Sequence, residues 1–242
     1  MTALLLRLGP HDVLAADSRE QLAAHAQTPP GRLIEIPNLA QLVFDNDTRT
    51  LAAAFTPGDT LVVGCSRPRA AQALLDHAAV NTRETHITWV SLPFDRAALL
   101  RGYGTPWFPV IDRARCTGCG TCADYCLFSV YEAAGSIRVA RPQHCKTGCP
   151  ACARLCPTGA LLFPFCHEPE LNGEVADPQP RRPADALAAL GDDPMRILAE
   201  RKNRKRLIDP SKFEQAEHDR ILYSGILANG GEGKGTEGTE GT

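Results

Sequence analysis

Two cysteine-rich segments dominate this sequence: Cys116-Thr-Gly-Cys119-Gly-Thr-Cys122-Ala-Asp-Tyr-Cys126 and Cys145-Lys-Thr-Gly-Cys149-Pro-Ala-Cys152-Ala-Arg-Leu-Cys156. The first has the spacing C-x2-C-x2-C-x3-C, and the second has the same spacing with one extra residue in its first gap. Both end in Cys-Ala-x-x-Cys, and together they hold eight of the ten cysteines of the chain. The pattern therefore indicates an internal repeat of one metal-binding half.

Three thiolates at such short spacing can hold one corner of a cubic iron–sulfur cluster. The loops between them are only long enough to turn, which directs their backbone N–H groups at the cluster sulfurs. The fourth cysteine of each run lies beyond the reach of its own cluster and ligates the other one. The spacing therefore predicts two [4Fe–4S] clusters with crossed ligands. The first is held by Cys116, Cys119, Cys122 and Cys156, and the second by Cys145, Cys149, Cys152 and Cys126.

These runs, with the lead-in Val110-Ile111-Asp112, resemble the bacterial two-cluster ferredoxin family over roughly residues 108–166, about a quarter of the chain. The resemblance implies an α+β ferredoxin domain and a low reduction potential. Two features depart from the family pattern. Leu127 stands where the family usually has proline, and the gap between Cys145 and Cys149 is one residue longer than usual. Cys145 is therefore the ligand in most need of a test, and a cluster held by three cysteines is the alternative for that half.

Other uses of cysteine fit the pattern less well. Structural zinc sites also use C-x2-C pairs, but as two pairs around one ion and not as two runs of four cysteines. Disulfides need an oxidising compartment, and no feature of the sequence indicates export. The remaining thiols, Cys65 and Cys166, lie outside both runs. The sequence therefore favours iron–sulfur clusters, with zinc as the main alternative.

Composition limits the classes of partner. The chain has 242 residues, 43% hydrophobic and 22% charged, with a formal net charge of −2. This charge gives no reason to expect nucleic acid as a partner. The N-terminus has no basic lead before its short apolar run, and no window approaches the length of a membrane-spanning helix. We therefore expect a cytoplasmic protein without membrane insertion, whose partner is a redox protein or an oxidoreductase complex.

Residues 1–105 are predicted to form an α/β domain with a small parallel sheet. The clearest unit is strand–turn–helix–strand, in which a continuous apolar strand is followed by a turn at Cys65-Ser66-Arg67. Ser18, with Gln21 three residues on, predicts the start of one helix, and Ser66 the N-cap of another. The predicted strands are 3–8, 33–36, 60–64 and 86–92, and the predicted helices are 18–26 and 69–80, with a segment of undecided type at 39–44.

Cys65 suggests a second hypothesis. It follows a predicted strand and faces a helix N-terminus, a place where α/β proteins often bind ligands and where a thiol can be activated. A redox thiol or an anion site is one interpretation. The other is a small buried residue with a packing role, which is commoner for an isolated cysteine. No residue is predicted to be catalytic.

The rest of the chain is predicted from the cysteine runs outward. Residues 106–170 form the ferredoxin-like domain, with a strand at 109–112 and a hairpin that pairs 130–131 with 137–139. Apolar residues there are expected to shield the clusters, and Tyr125 and Tyr131 to serve as core residues. So small a domain has little core of its own, so cluster binding must supply much of its stability. Residues 171–228 are predicted as a linker and helical extension, and 229–242 as a disordered tail.

The sequence as a whole predicts an iron–sulfur protein that passes single electrons through its clusters to a dedicated redox partner. It is more typical of an electron carrier, or of the electron-transfer subunit of an oxidoreductase, than of a stand-alone enzyme. One alternative is an oxidoreductase subunit whose N-terminal domain binds substrate or cofactor near Cys65. Another is a sensor or assembly protein in which the clusters are structural.

Overall fold

The computed structural model describes residues 2–26, 32–56, 58–100 and 106–179. All of them belong to one compact unit of the chain, Met1–Ile208. Most of the predicted helical extension at 171–228, and the whole predicted tail at 229–242, lie outside these residues. The predicted domain boundaries stay a prediction. Below, the α/β region means residues 1–105 and the cysteine-rich region means residues 106–179.

A four-stranded parallel sheet forms the centre of the α/β region. Its strands are β1 (Thr2–Leu6), β2 (Arg32–Ile36), β3 (Thr60–Cys65) and β4 (His86–Ser91), and their spatial order is β2-β1-β3-β4. The two inner strands, β1 and β3, are almost wholly buried, as their unbroken apolar sequences require for a sheet that is covered on both faces. The predicted small parallel sheet is confirmed.

Helices connect the strands and cover the sheet. They are α1 (Ser18–His25), α2 (Leu39–Phe44), α3 (Thr48–Ala54), α4 (Pro68–His77) and α5 (Arg96–Leu100). The undecided segment 39–44 is helical, because the Asn38 side chain accepts a hydrogen bond from the Gln41 N–H and starts the first turn. Helix α3 was not predicted from the sequence. Asp47 caps it in the same way, by accepting from the Thr50 N–H.

Two predicted helix starts are each wrong by one residue. Helix α1 has Asp17 and not Ser18 at its N-cap, and the Gln21 side chain donates to the Asp17 carboxylate. Helix α4 has Arg67 and not Ser66 at its N-cap, with Pro68 as its first residue. Proline suits that position because its fixed φ matches the helix and its missing N–H would have had no partner. Ser66 instead donates its hydroxyl to the Asp12 carboxylate.

The cysteine-rich region consists of short elements. Its strands are β5 (Val110–Ile111), β6 (Tyr131–Glu132), β7 (Arg138–Val139) and β8 (Leu161–Leu162), and its helices are α6 (Thr121–Tyr125), α7 (Ala151–Arg154) and α8 (Pro169–Asn172), with a 3-10 turn at Pro142–His144. Strands β6 and β7 form the expected antiparallel hairpin. Strand β5 pairs antiparallel with β8, so the beginning of the first half lies beside the end of the second. This pairing joins the two halves of the repeat through their outer strands.

One hydrophobic core continues through both regions. Phe108 of the cysteine-rich region lies between the rings of Phe44 and His77, with centroid separations of 5.5 and 5.7 Å. At Gly9 the Phe165 ring comes so close that a Cβ would lie 2.4 Å from it. The cysteine-rich region therefore shares the core of the α/β region.

Two arginines, Arg67 at the N-cap of helix α4 and Arg69 in its first turn, also join the regions. The guanidinium of Arg67 is fully buried, donates to the Pro164 carbonyl oxygen, and lies 3.4 Å from a carboxylate oxygen of Asp12. Arg69 donates to the Asp112 carboxylate at 2.7 Å and to the Gly159 carbonyl oxygen. The start of helix α4 thus binds the α/β region to Asp112, before the first cysteine run, and to Gly159 and Pro164, after the second. No helix in the described residues is both long and apolar enough to cross a membrane.

Candidate metal centre

The first of two cysteine-lined cavities lies beside strand β5. Four cysteines line it: Cys116, Cys119, Cys122 and Cys156. The first three come from the loop before helix α6 and from its first turn, and Cys156 comes from the second half of the repeat. Ile111, Ile137 and Leu161 complete the wall with apolar side chains. The cavity encloses about 340 Å³, counting the space that opens to solvent.

The second cavity has the complementary set of cysteines. They are Cys126, Cys145, Cys149 and Cys152. Here three come from the second half: Cys145 directly after the 3-10 turn, Cys149 in the loop that follows and Cys152 on helix α7, while Cys126 directly follows helix α6. Leu127, Phe128 and Val130 form part of the apolar wall. The volume is about 420 Å³ on the same measure.

The eight cysteines therefore lie in two groups of four, and each group has three members from one run and the last member of the other. Helices α6 and α7, which carry the ends of the two runs, contact each other. With these helices in contact, Cys126, the last cysteine of the first run, lines the second cavity, and Cys156, the last cysteine of the second run, lines the first. Cys145 lines the second cavity despite the extra residue that follows it. Ligation itself stays a prediction for all eight.

The two groups differ in exposure. Cys119, in the first group, is exposed, whereas Cys156 is buried. In the second group Cys145 and Cys152 are buried, and Cys126 and Cys149 are half-buried. The loop at Cys119 is thus the point where one of the cysteine groups comes nearest to solvent.

Burial opposes the ionisation of two of the thiols, those of Cys122 and Cys152. It raises the pKa of Cys122 and of Cys152 to about 12, because a thiolate without a counter-charge is poorly solvated there. The hydrogen bond with Thr121 has the opposite effect at exposed Cys119 and lowers its pKa. The sulfurs of Cys122 and Cys152 therefore favour the thiol until a cation binds, and iron would displace the proton as it binds the sulfur.

Hydroxyl groups approach three of the sulfurs. The phenol of Tyr131 donates to the Cys152 sulfur at 3.0 Å, and this contact is buried. In the first group, the Thr121 hydroxyl lies 3.4 Å from the Cys119 sulfur and the Thr158 hydroxyl 3.6 Å from that of Cys156. The contact of Tyr131 was not predicted from the sequence, which indicated only a core role. The only sign of this contact in the sequence is a tyrosine, an aromatic residue with a hydroxyl, between the two cysteine runs. The local sequence does not indicate which cysteine that hydroxyl contacts.

The donor set fits an iron–sulfur group. Each cavity presents four thiols in an apolar wall, which is the ligand environment of [4Fe–4S] clusters. None of the ten cysteines, all of which lie in the described part of the chain, forms a disulfide. Among the described residues, no three His, Cys, Asp or Glu side chains stand close enough together to hold a single metal ion. The four thiols of each group therefore line a cavity and do not converge on the position of a single ion.

Comparison with known families agrees with the first half of this arrangement. Residues 108–131 match the model of the 4Fe-4S binding domain. The chain therefore carries an iron–sulfur domain. The matched segment contains the first run, Cys116 to Cys126, and supports at least one [4Fe–4S] cluster. Neither curated proteins nor solved structures gave a significant match.

Cys65, the residue of the second hypothesis, lines neither of the two cavities. It is fully buried, and so is Arg67, while Ser66 is 4% exposed. Burial raises the pKa of the Cys65 thiol far above its ordinary value. The turn is filled by the contacts of Ser66 and Arg67 with Asp12, so the packing interpretation of Cys65 accounts for its surroundings. Cys166 is buried and lines neither cavity.

Proposed function

We propose that this protein transfers single electrons through two [4Fe–4S] clusters to a dedicated redox partner. The observation that supports it most is the division of eight cysteines between two cavities, each with three residues of one run and the last residue of the other. The first cluster would be held by Cys116, Cys119, Cys122 and Cys156, and the second by Cys126, Cys145, Cys149 and Cys152. When bound, each cluster accepts or donates one electron.

The residues of the chain would supply the conditions for that transfer. Four thiolates hold each group at fixed geometry, so little has to move between oxidation states. Apolar side chains such as Ile111, Leu127 and Val130 keep water away from the sulfurs, which influences the potential and slows oxidative loss. The exposed loop at Cys119 gives a partner its nearest approach to a cluster. The α/β region, which shares its core with the cysteine-rich region, acts in this proposal as a rigid support.

The first experiment is anaerobic purification of the full chain with iron and sulfide analysis. Each cluster contains four of each atom, so two clusters give about eight iron and eight sulfide per chain. Dithionite should then bleach the visible absorbance with the uptake of about two electrons per chain, one for each cluster. About four iron per chain would reduce the proposal to one cluster. Bound zinc without sulfide would overturn it.

A further inference from the structure

Tyr131 makes the contact from which this inference is drawn. Its side chain is 6% exposed, and its hydroxyl lies 3.0 Å from the sulfur of Cys152. The residue stands on strand β6, where Val139 of β7 is its partner in register. Cys152 stands on helix α7. Both groups are therefore held by regular backbone, and the contact does not depend on an exposed, freely rotating side chain.

The direction of this hydrogen bond follows from the proposed function, on which the inference rests. A cysteine sulfur bound to iron has lost its proton and can only accept. A tyrosine hydroxyl is protonated at neutral pH and therefore acts as the hydrogen-bond donor. A hydrogen bond between a neutral donor and a charged acceptor is stronger than one between neutral groups, and burial strengthens it further.

We propose that Tyr131 is a positioning residue for electron transfer, which acts through the Cys152 sulfur to raise the reduction potential of the second cluster. Reduction adds one electron from an electron donor, which is oxidised in turn, and part of that charge resides on the cysteine sulfurs. The phenol dipole therefore stabilises the reduced cluster more than the oxidised one. Hydrogen bonds to sulfur are among the factors that set the potentials of such clusters.

The effect should be confined to one cluster. Tyr131 lines the second cavity and not the first. In the first group, the Thr121 hydroxyl lies at the longer distance of 3.4 Å from the exposed sulfur of Cys119. Each cluster thus has its own hydroxyl contact, which provides a matched pair of variants.

The test is a redox titration of the full holoprotein, followed by electron paramagnetic resonance, for the wild type and Tyr131→Phe. The variant keeps the ring and removes only the hydroxyl. We expect half of the reducible signal to move to lower potential and the other half to stay. The reduced-to-oxidised ratio of the affected cluster should fall about three- to tenfold at a given potential, which is about 30–60 mV for one electron. A titration identical to that of the wild type would overturn the inference.

Thr121→Val is the matched control, because it removes a hydroxyl from the first group. It should move the other half of the signal, by less, since its contact is longer and exposed. Both variants must first contain the iron and sulfide of the wild type. If the wild type has only one cluster, the two-cluster form of the proposed function fails. If both variants move the same half of the signal, the assignment of cysteines to clusters fails. If the iron content is as expected and only Tyr131→Phe has no effect, the role of Tyr131 alone fails.

A second measurement detects the hydrogen bond itself. Exchange of the wild type into D2O replaces the phenol proton, so the iron–sulfur stretching bands of the second cluster should shift in the resonance Raman spectrum. The corresponding bands of Tyr131→Phe should lack that component of the shift. Equal shifts in the two proteins would mean that backbone N–H groups alone bond the sulfurs, and would contradict the inference.

Discussion

Cys145 is the residue at which the two runs differ most. The extra residue between Cys145 and Cys149 left open, from the sequence, whether Cys145 could reach the cluster with the others. The structure lines the second cavity with both, together with Cys126 and Cys152. The 3-10 turn Pro142–His144 ends directly before Cys145, whose own backbone is extended. The extra residue is therefore accommodated in the loop after Cys145, and the Cys145 side chain still lines the second cavity.

Cys145→Ser should therefore impair one cluster and leave the other intact. A hydroxyl is a poor ligand for iron, so the affected cluster should lose the iron that Cys145 holds. We expect iron to fall from about eight to about seven per chain, with the signal of an oxidised three-iron cluster in electron paramagnetic resonance. Cys166→Ser is the control, since Cys166 is also buried but lines neither cavity. A full complement of iron in Cys145→Ser would show that Cys145 is not a ligand.

Cys65 provides the test of the alternative function. Because the thiol is fully buried and its pKa is far above the ordinary value, it should remain a thiol at pH 8 and resist alkylation in the native protein. Cys65→Ala should cost about 1–2 kcal/mol of stability through the lost packing and should not change electron transfer. Peptide mapping after iodoacetamide treatment measures the first expectation, and reduction of an artificial acceptor the second. Native labelling of Cys65, or lost transfer in a fully loaded variant, would revive a substrate site at this turn.

At the scale of the elements, helix α4 and the end of helix α8 pack closely at two small residues, Ala70 and Gly173. Gly173 follows α8 with a φ of +86°, and a Cβ there would lie 2.8 Å from the Cβ of Ala70 and 3.0 Å from its backbone N. A backbone atom inside α4 cannot move aside as the end of a flexible side chain can. This contact therefore sets how closely the two regions pack.

Gly173→Ala should destabilise the protein more than its conformation alone requires. Gly135 is the matched control, because its φ is +78° and nothing lies within 4 Å of the added Cβ. Gly135→Ala should cost about 1 kcal/mol, the strain of a left-handed alanine. Gly173→Ala carries the same strain and the clash in addition, so we expect about 2–4 kcal/mol. Thermal midpoints of the two holoproteins measure the difference, and equal midpoints would show that the interface yields.

Helix α4 also contributes a dependence on pH. Burial, and to a lesser degree the charge of Arg113, lowers the pKa of His77, whose ring packs on Phe108. In the unfolded chain the pKa of His77 has its ordinary value of 6.5. Just below that pH the unfolded chain therefore binds a proton that the folded chain does not bind. The contribution of neutral, buried His77 to the stability of the fold is fully present above pH 6.5. It is lost as the pH falls through the lower pKa that His77 has in the folded state.

His77→Gln should accordingly make stability less sensitive to acid. Between pH 7 and pH 5, the wild type should lose stability more steeply than the variant, while both carry the same clusters. His86→Gln removes an exposed imidazole and should follow the wild-type curve. Chemical denaturation at several pH values gives the slopes. Parallel curves for the wild type and His77→Gln would contradict the role of His77.

For the molecule as a whole, the sequence predicted what depends on local spacing. The run spacings of the cysteines predicted which four would share a cavity, and continuous apolar stretches predicted the parallel strands. Helix α3 was missed because its short sequence, Thr-Arg-Thr-Leu-Ala-Ala-Ala, shows no clear amphipathic period, although its cap Asp47 was visible. Contacts between distant residues were beyond prediction. Arg67 meets Pro164 across 97 residues, and only the shared core brings them together.

Arg67 stabilises the molecule at the scale of both regions. Its guanidinium and the Asp12 carboxylate are fully buried, and its bond to the Pro164 carbonyl oxygen crosses between the regions. The Leu8 N–H and the Ser66 hydroxyl also donate to Asp12. Arg67→Met would keep much of the volume but leave Asp12 without its counter-charge and the Pro164 carbonyl without this donor. Removal of one partner of a buried pair costs about 3–5 kcal/mol.

We expect Arg67→Met to lose its clusters at lower denaturant than the wild type, although the substitution lies in the α/β region. Arg96→Met is the control. Arg96 also pairs across the regions, with Glu174, but its side chain is 66% exposed, and such pairs contribute about 0–1 kcal/mol. Cluster absorbance and tryptophan fluorescence, followed together in guanidinium, measure both effects, and in each protein the two signals should change in one transition because one core joins the regions. If the clusters of Arg67→Met were lost at the same denaturant concentration as those of the wild type, the α/β region would not support them.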